Sequence, residues 1–132
     1  MLENTLKQYS NSFMSNSKWR KLFAVIHDGS IPVSACTWKL VEDKEPKNGF
    51  IPDLDQLGED YVGDCGALNA PFFFKEIEWL FLPSKVGYQP YDKAPIKYEY
   101  QDIGKIKKKI DNVGQFEYET TDEGIKIYGY KP

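Results

Sequence analysis

Residues 72–82 read FFFKEIEWLFL, eight apolar side chains in eleven positions, closed off by Pro71 and Pro83. Proline fixes φ and removes a backbone donor, so each one bounds the segment. Ile77, Trp79 and Phe81 alternate with Glu76, Glu78 and Leu80, which predicts a strand. A strand this apolar on both faces belongs in the interior of a sheet. The rest of the chain must therefore supply neighbours for it and a layer to cover it.

Three other segments are strand-like. Val33 to Val41 (VSACTWKLV) is rich in β-formers and follows Pro32, and Ile96 to Tyr100 (IKYEY) alternates. QFEYETTDEGIKIYGY reads as a hairpin, with its turn at Thr121-Asp122-Glu123-Gly124. Three helices are expected. Leu2, Leu6, Tyr9 and Phe13 share a face over 3–14, and Trp19, Leu22, Phe23 and Ile26 do so over 17–27. Asn16 or Ser17 would cap the second helix and Gly29 would follow it. Asp102 caps a third, in which Ile103, Ile106, Ile110 and Val113 share a face before Gly114. Residues 84–95 read as irregular. Residues 42–71 read as one long loop rich in Pro and Gly, or as a loop holding a short helix near 53–61. There is no repeating βαβ unit, so the fold class is α+β. It comprises N-terminal helices, an antiparallel sheet with a long acidic loop, one further helix and a C-terminal β-hairpin. At 132 residues the chain is expected to form a single domain, 1–132.

Charge singles out the long loop. Residues 42–64 hold eight carboxylates and two lysines, net −6, whereas 1–41 is net +3 and 65–132 is balanced. Within it, Asp53, Asp55, Gly58 and Asp64 fall at positions 1, 3, 6 and 12 of an EF-hand-like window. Three residues break the match. Leu57 replaces an oxygen ligand, Asp60 stands where an apolar residue belongs, and Pro52 excludes the helix that should enter the loop. No metal is expected there. Zinc is not expected either, because His27, Cys36 and Cys65 form no close ligand pairs.

Other chemistries find little support. There is no phosphate-binding glycine motif, and the run Lys105-Ile106-Lys107-Lys108-Lys109 is the wet face of an amphipathic helix rather than a nucleic-acid patch. Neither a signal peptide nor an apolar run of about 18 residues is visible, so a cytoplasmic chain with reduced thiols is expected, away from membranes. An alternative is a small cytoplasmic enzyme or ligand-binding domain. It would use Cys36 with His27, or the carboxylate pairs Glu76/Glu78, Glu117/Glu119 and Asp122/Glu123. Against it, the acidic neighbours of Cys65 suppress a thiolate, and paired carboxylates suit the wet face of a sheet.

Two stretches carry a resemblance. Asn16-Ser17-Lys18-Trp19-Arg20-Lys21-Leu22-Phe23 and Phe74-Lys75-Glu76-Ile77-Glu78-Trp79 resemble a small bacterial family of unknown function, over residues 16–82. That family opens with a Lys-Trp-Arg helix and carries a Lys/Arg-Glu-Ile-Glu-Trp strand. In size, acidity and lack of catalytic residues the chain also resembles immunity proteins of contact-dependent growth inhibition and related polymorphic toxin systems. The resemblance implies a protein that is not an enzyme, needs no cofactor, and binds one cognate basic toxin domain, often a nuclease, without touching nucleic acid itself. No site residue transfers from it. The residues themselves place the expected interface at Asp53, Asp55, Glu59, Asp60 and Asp64, with Tyr61 as an aromatic anchor.

Overall fold

The computed structural model describes residues 2–26, 35–52, 54–63 and 71–131. Its centre is strand β6 (Ile77–Pro83) in a five-stranded antiparallel sheet of order β3-β2-β6-β10-β9. The other members are β2 (Ala35–Leu40), β3 (Lys47–Phe50), β9 (Tyr118–Thr121) and β10 (Gly124–Tyr128). Three two-stranded pairings surround it. They are β1 (Asn11–Ser12) with β11 (Tyr130–Lys131), β4 (Tyr61–Val62) with β5 (Phe72–Phe73), and β7 (Lys85–Tyr88) with β8 (Lys97–Tyr100). The helices are α1 (Leu2–Leu6), α2 (Asn16–Ile26) and α3 (Ile103–Val113). The α+β reading therefore holds, but the apolar segment is not one strand: Phe72–Phe73 form β5, Phe74–Glu76 a 3-10 turn, and only Ile77–Pro83 is the interior strand.

One face of the sheet is dry. Trp38, Leu40, Leu80, Leu82, Ile125 and Ile127 bury themselves against Trp19, Leu22, Phe23 and Ile26 of α2 and Ile106 and Ile110 of α3. Phe23 sits at the middle of this layer, with ring centroids 5.7–6.1 Å from Trp19, Trp38 and Phe74. Both long helices form where the apolar spacing requires them. Asp102 accepts from the Lys105 N–H at 3.0 Å, as an N-cap should. The start of α2 differs from expectation. Ser15, not Asn16 or Ser17, supplies the cap oxygen, to the Lys18 N–H at 3.2 Å.

Four further departures have physical causes. The first helix stops at Leu6, because Ser10-Asn11-Ser12 favours local side-chain hydrogen bonds over helix and pairs with β11. Residues 42–71 are not one loop, since Lys47–Phe50 pairs with β2. Residues 84–95 are not wholly irregular, since Lys85–Tyr88 pairs with β8. Lastly, Ile77 does not share a face with Trp79 and Phe81. Leu40 pairs with Ile77 and Lys39 with Trp79, so Glu78 is an extra residue, a β-bulge. The bulge shifts the alternation. Ile77, Leu80 and Leu82 point inward while Trp79 and Phe81 lie on the open face. Val33 and Ser34, expected to begin β2, and Gly29 lie outside the described residues.

Truncating the central ring tests this layer. Phe23→Ala is expected to cost roughly 3–5 kcal/mol, the usual range for a fully buried Phe. Denaturant unfolding at matched m-value checks it, and a loss under about 1 kcal/mol would show that Phe23 is not the packing centre.

Candidate functional site

The acidic loop is a folded projection, not a free strand of chain. After Ile51 and the buried Pro52 come a 3-10 turn at Leu54–Gln56 and a return through β4. Backbone bonds close it. The Gly63 N–H donates to the Gln56 carbonyl at 2.7 Å, the Gly58 N–H to Tyr61 at 2.9 Å, and the Phe74 N–H to Asp60 at 2.9 Å. The chain entering this window is strand β3, so the helix that precedes a calcium loop is absent. Among the described residues, no three His, Cys, Asp or Glu side chains converge as a metal site requires.

The β4–β5 pairing sorts the neighbouring side chains. Val62 and its partner Phe72 face the core, while Tyr61 and its partner Phe73 face solvent. Tyr61, Phe73 and Leu54 are 45%, 47% and 50% exposed, a cost in apolar surface that packing does not explain. Asp55, Glu59 and Asp60 are exposed around them, and none has a cationic partner among the described residues. Lys75 lies 5.4 Å above the Phe73 ring, and Glu76 accepts from the Phe73 N–H at 2.6 Å. These two contacts hold Phe73 in place. Gly58 explains itself here. A Cβ at that position would overlap the Tyr61 ring, so the glycine lets the ring lie across the turn.

The structure thus brings together Asp55, Glu59, Asp60 and Tyr61 of the expected interface, and adds Phe73 and Leu54. Asp53 and Asp64 lie outside the described residues. Phe73 reads in the sequence as one of three core phenylalanines. Only its pairing with Tyr61, twelve positions earlier, reveals that it points outward.

The residues of the alternative reading are dispersed. Cys36 is buried in β2, and His27 and Cys65 lie outside the described residues. Glu76 and Glu78, expected on one side of a strand, separate at the bulge. Glu76 caps its own turn, while Glu78 accepts from Tyr9 at 2.6 Å and Lys39 at 3.1 Å. Glu117 and Glu119 both meet Lys131, at 3.0 and 3.5 Å. Asp122 and Glu123 form the two-residue turn before Gly124.

The open face of the sheet is a second feature the sequence conceals. Trp79, Phe81 and Tyr128 are half-buried there, with Lys126 lying 4.2 Å over Trp79 and 5.5 Å over Tyr128. They line a shallow groove of about 370 Å³ with Glu119 and Thr121. Of its charges, Glu119 meets Lys131 at 3.5 Å and Lys126 lies over the rings. Burial and the hydrogen bond to Glu78 push the Tyr9 hydroxyl well above its ordinary value. On the opposite, helix-covered face, burial and the Asp111 carboxylate push Tyr118 up to about 12.

The chain belongs to the family of unknown function DUF6678, whose family model matches residues 1–132. The match spans the helical layer, the five-stranded sheet and the acidic projection together. No curated protein and no solved structure matches the chain. Among the described residues, no helix is long and apolar enough to cross a membrane.

Two outcomes check this geometry. Gly58→Ala should displace the Tyr61 ring, moving its NMR ring-proton shifts, while leaving stability within about 1 kcal/mol. Unchanged ring shifts would contradict the close approach. Tyr9 and Tyr118 hold their protons more tightly folded than unfolded, so the stability they contribute is intact below the ordinary phenol value of 10.0. It is lost as pH climbs toward the folded values. Unfolding free energy should therefore fall above pH 10.0, and fall less steeply in the Tyr9→Phe, Tyr118→Phe double variant.

Proposed function

We propose that this chain is an immunity-type inhibitor that neutralises a cognate bacterial toxin domain, of nuclease type, by direct stoichiometric binding in the cytoplasm. The observation that carries the reading is the pairing of unneutralised charge with exposed aromatic surface. Exposed Asp55, Glu59 and Asp60 lie in the same backbone-bonded turn and hairpin as exposed Tyr61 and Phe73. Asp53 and Asp64 extend the same acidic segment in sequence.

Such a surface suits a basic partner in two separable ways. The carboxylates would steer encounter with a positive cleft, an effect on association rate that salt screens. The aromatic pair would supply the desolvated anchor that slows dissociation. A toxin that acts on a polyanion presents a basic cleft, and an acidic plug both fits that cleft and excludes the substrate. The chain would need no cofactor and would contact no nucleic acid.

Co-expression with a candidate cognate toxin domain of nuclease type, together with stopped-flow binding, tests the reading. Asp55→Lys, Glu59→Lys, Asp60→Lys together should lower the association rate roughly tenfold or more and flatten its salt dependence. Tyr61→Ala and Phe73→Ala should act mainly on dissociation, each costing about 2 kcal/mol if they are true anchors. Full protection of cells by the triple variant, with unchanged affinity, would overturn the reading.

A further inference from the structure

We propose that strand β8 is a self-association edge, pairing antiparallel with β8 of a second copy about a two-fold axis at Tyr98. The β7–β8 ribbon stands outside the five-stranded sheet. Its base is fixed by the buried Gln101, whose Nε2 donates to the Pro83 carbonyl at 2.6 Å and whose Oε1 accepts from the Ala35 N–H at 3.3 Å. One side of β8 is filled by β7. The other side has no strand partner among the described residues, and all four of its residues are exposed.

The hydrogen-bond phase of the ribbon decides which groups face outward. The Gln101 N–H donates to the Ser84 carbonyl at 2.8 Å, in register with the Lys85–Tyr100 pairing. Backbone polar groups alternate sides along a strand, so those of Lys97 and Glu99 point at β7. Those of Tyr98 and Tyr100 point away, toward the open edge, and Ile96, the residue before the strand, would continue the same phase on pairing. An exposed edge with free donors and acceptors is a template for another strand. Such edges are blunted by proline, bulges or charged side chains; residues 96–100 hold no proline or bulge, and the one edge lysine, Lys97, is matched by Glu99 in the two-fold pairing.

A two-fold at Tyr98 makes this edge complementary to itself. Tyr98 falls opposite Tyr98, Ile96 opposite Tyr100, and Lys97 opposite Glu99. The first two pairings are those whose backbone groups face outward, so each can exchange both N–H···O bonds. The same two pairings place apolar side chains together on one face, where Ile96, Tyr98 and Tyr100 are 61%, 50% and 76% exposed. On the other face, Lys97 meets Glu99 twice, by symmetry. No other centre within the strand matches apolar to apolar and charge to opposite charge at every position. Gly87 assists, because its missing side chain lets the Tyr98 ring lie across the ribbon, under Lys85 at 4.7 Å.

The area indicates the strength. Three side chains of this exposure present on the order of 400 Å² per copy, taking roughly 200 Å² for each when fully exposed. Stable interfaces bury about 800 Å² per partner. The dimer is therefore weak and concentration-dependent, in the class of transient contacts. The surface is separate from the acidic projection, and the inference does not rest on the proposed function.

Sedimentation equilibrium of the full chain, from low to high micromolar concentration, tests it with charge variants. The wild type should rise from the 15.3 kDa monomer toward twice that mass. Lys97→Glu alone places like charges opposite one another twice, and should weaken association roughly tenfold. Glu99→Lys alone should do the same. The exchanged double variant Lys97→Glu, Glu99→Lys restores opposite charges and should associate like the wild type. Far-UV circular dichroism confirms that each variant folds. A wild type that stays monomeric throughout, single variants that dimerise normally, or an exchanged variant that remains as weak as the singles would each overturn the proposal.

Discussion

The whole arrangement hangs on strand β6 and on the one extra residue within it. β6 is paired on both edges, by β2 and by β10, so it cannot move without breaking the sheet. The bulge at Glu78 then sets which way each side chain points. It sends Leu80 and Leu82 under the helices and Trp79 and Phe81 to the open face. Glu78 is itself held, accepting from both Tyr9 and Lys39. A carboxylate with two donors is well satisfied in this partly buried place, whereas the loss of either donor would leave it poorly compensated.

The candidate site inherits its rigidity from that strand. Phe74 is fully buried just ahead of β6, and Phe72 and Val62 are buried beside it. Those anchors leave Phe73 and Tyr61 no option but to point outward together, since successive side chains along a strand alternate. The acidic loop closes over the same hairpin through backbone bonds from Gly58, Gly63 and Phe74. A surface held by its own backbone bonds loses little conformational freedom on binding a partner. The carboxylates of the projection have no cationic partner among the described residues, which is why it supports the proposed inhibitory reading.

Much of this was legible in the residues. The helices α2 and α3 follow from apolar spacing and polar caps, and the C-terminal hairpin from its alternation and its Gly124 turn. The interior strand follows from its apolar run. What escaped was non-local. Lys47-Asn48-Gly49 is a poor β-former and Val86 stands between Lys85 and Gly87, and both segments are strands because β2 and β8 offer edges to them. The bulge at Glu78 leaves no mark in FFFKEIEWLFL, since shifting the alternation by one residue exchanges one set of apolar side chains for another. At the site, charge alone located Asp55, Glu59 and Asp60, because local clustering of like charge is a one-dimensional signal. Phe73 was invisible for the opposite reason: its exposure depends on a cross-strand partner across an intervening loop. Gly58 was seen in the sequence as a calcium-loop glycine, and its role proves to be room for the Tyr61 ring.

Amide hydrogen exchange, with and without the proposed basic toxin partner, tests the docking surface most directly. Slowed exchange is expected to concentrate at residues 54–63 and 72–75, where the acidic loop and the β4–β5 hairpin meet. Protection confined to the open sheet face around Trp79, Lys126 and Tyr128, with residues 54–63 exchanging as in the free protein, would contradict it.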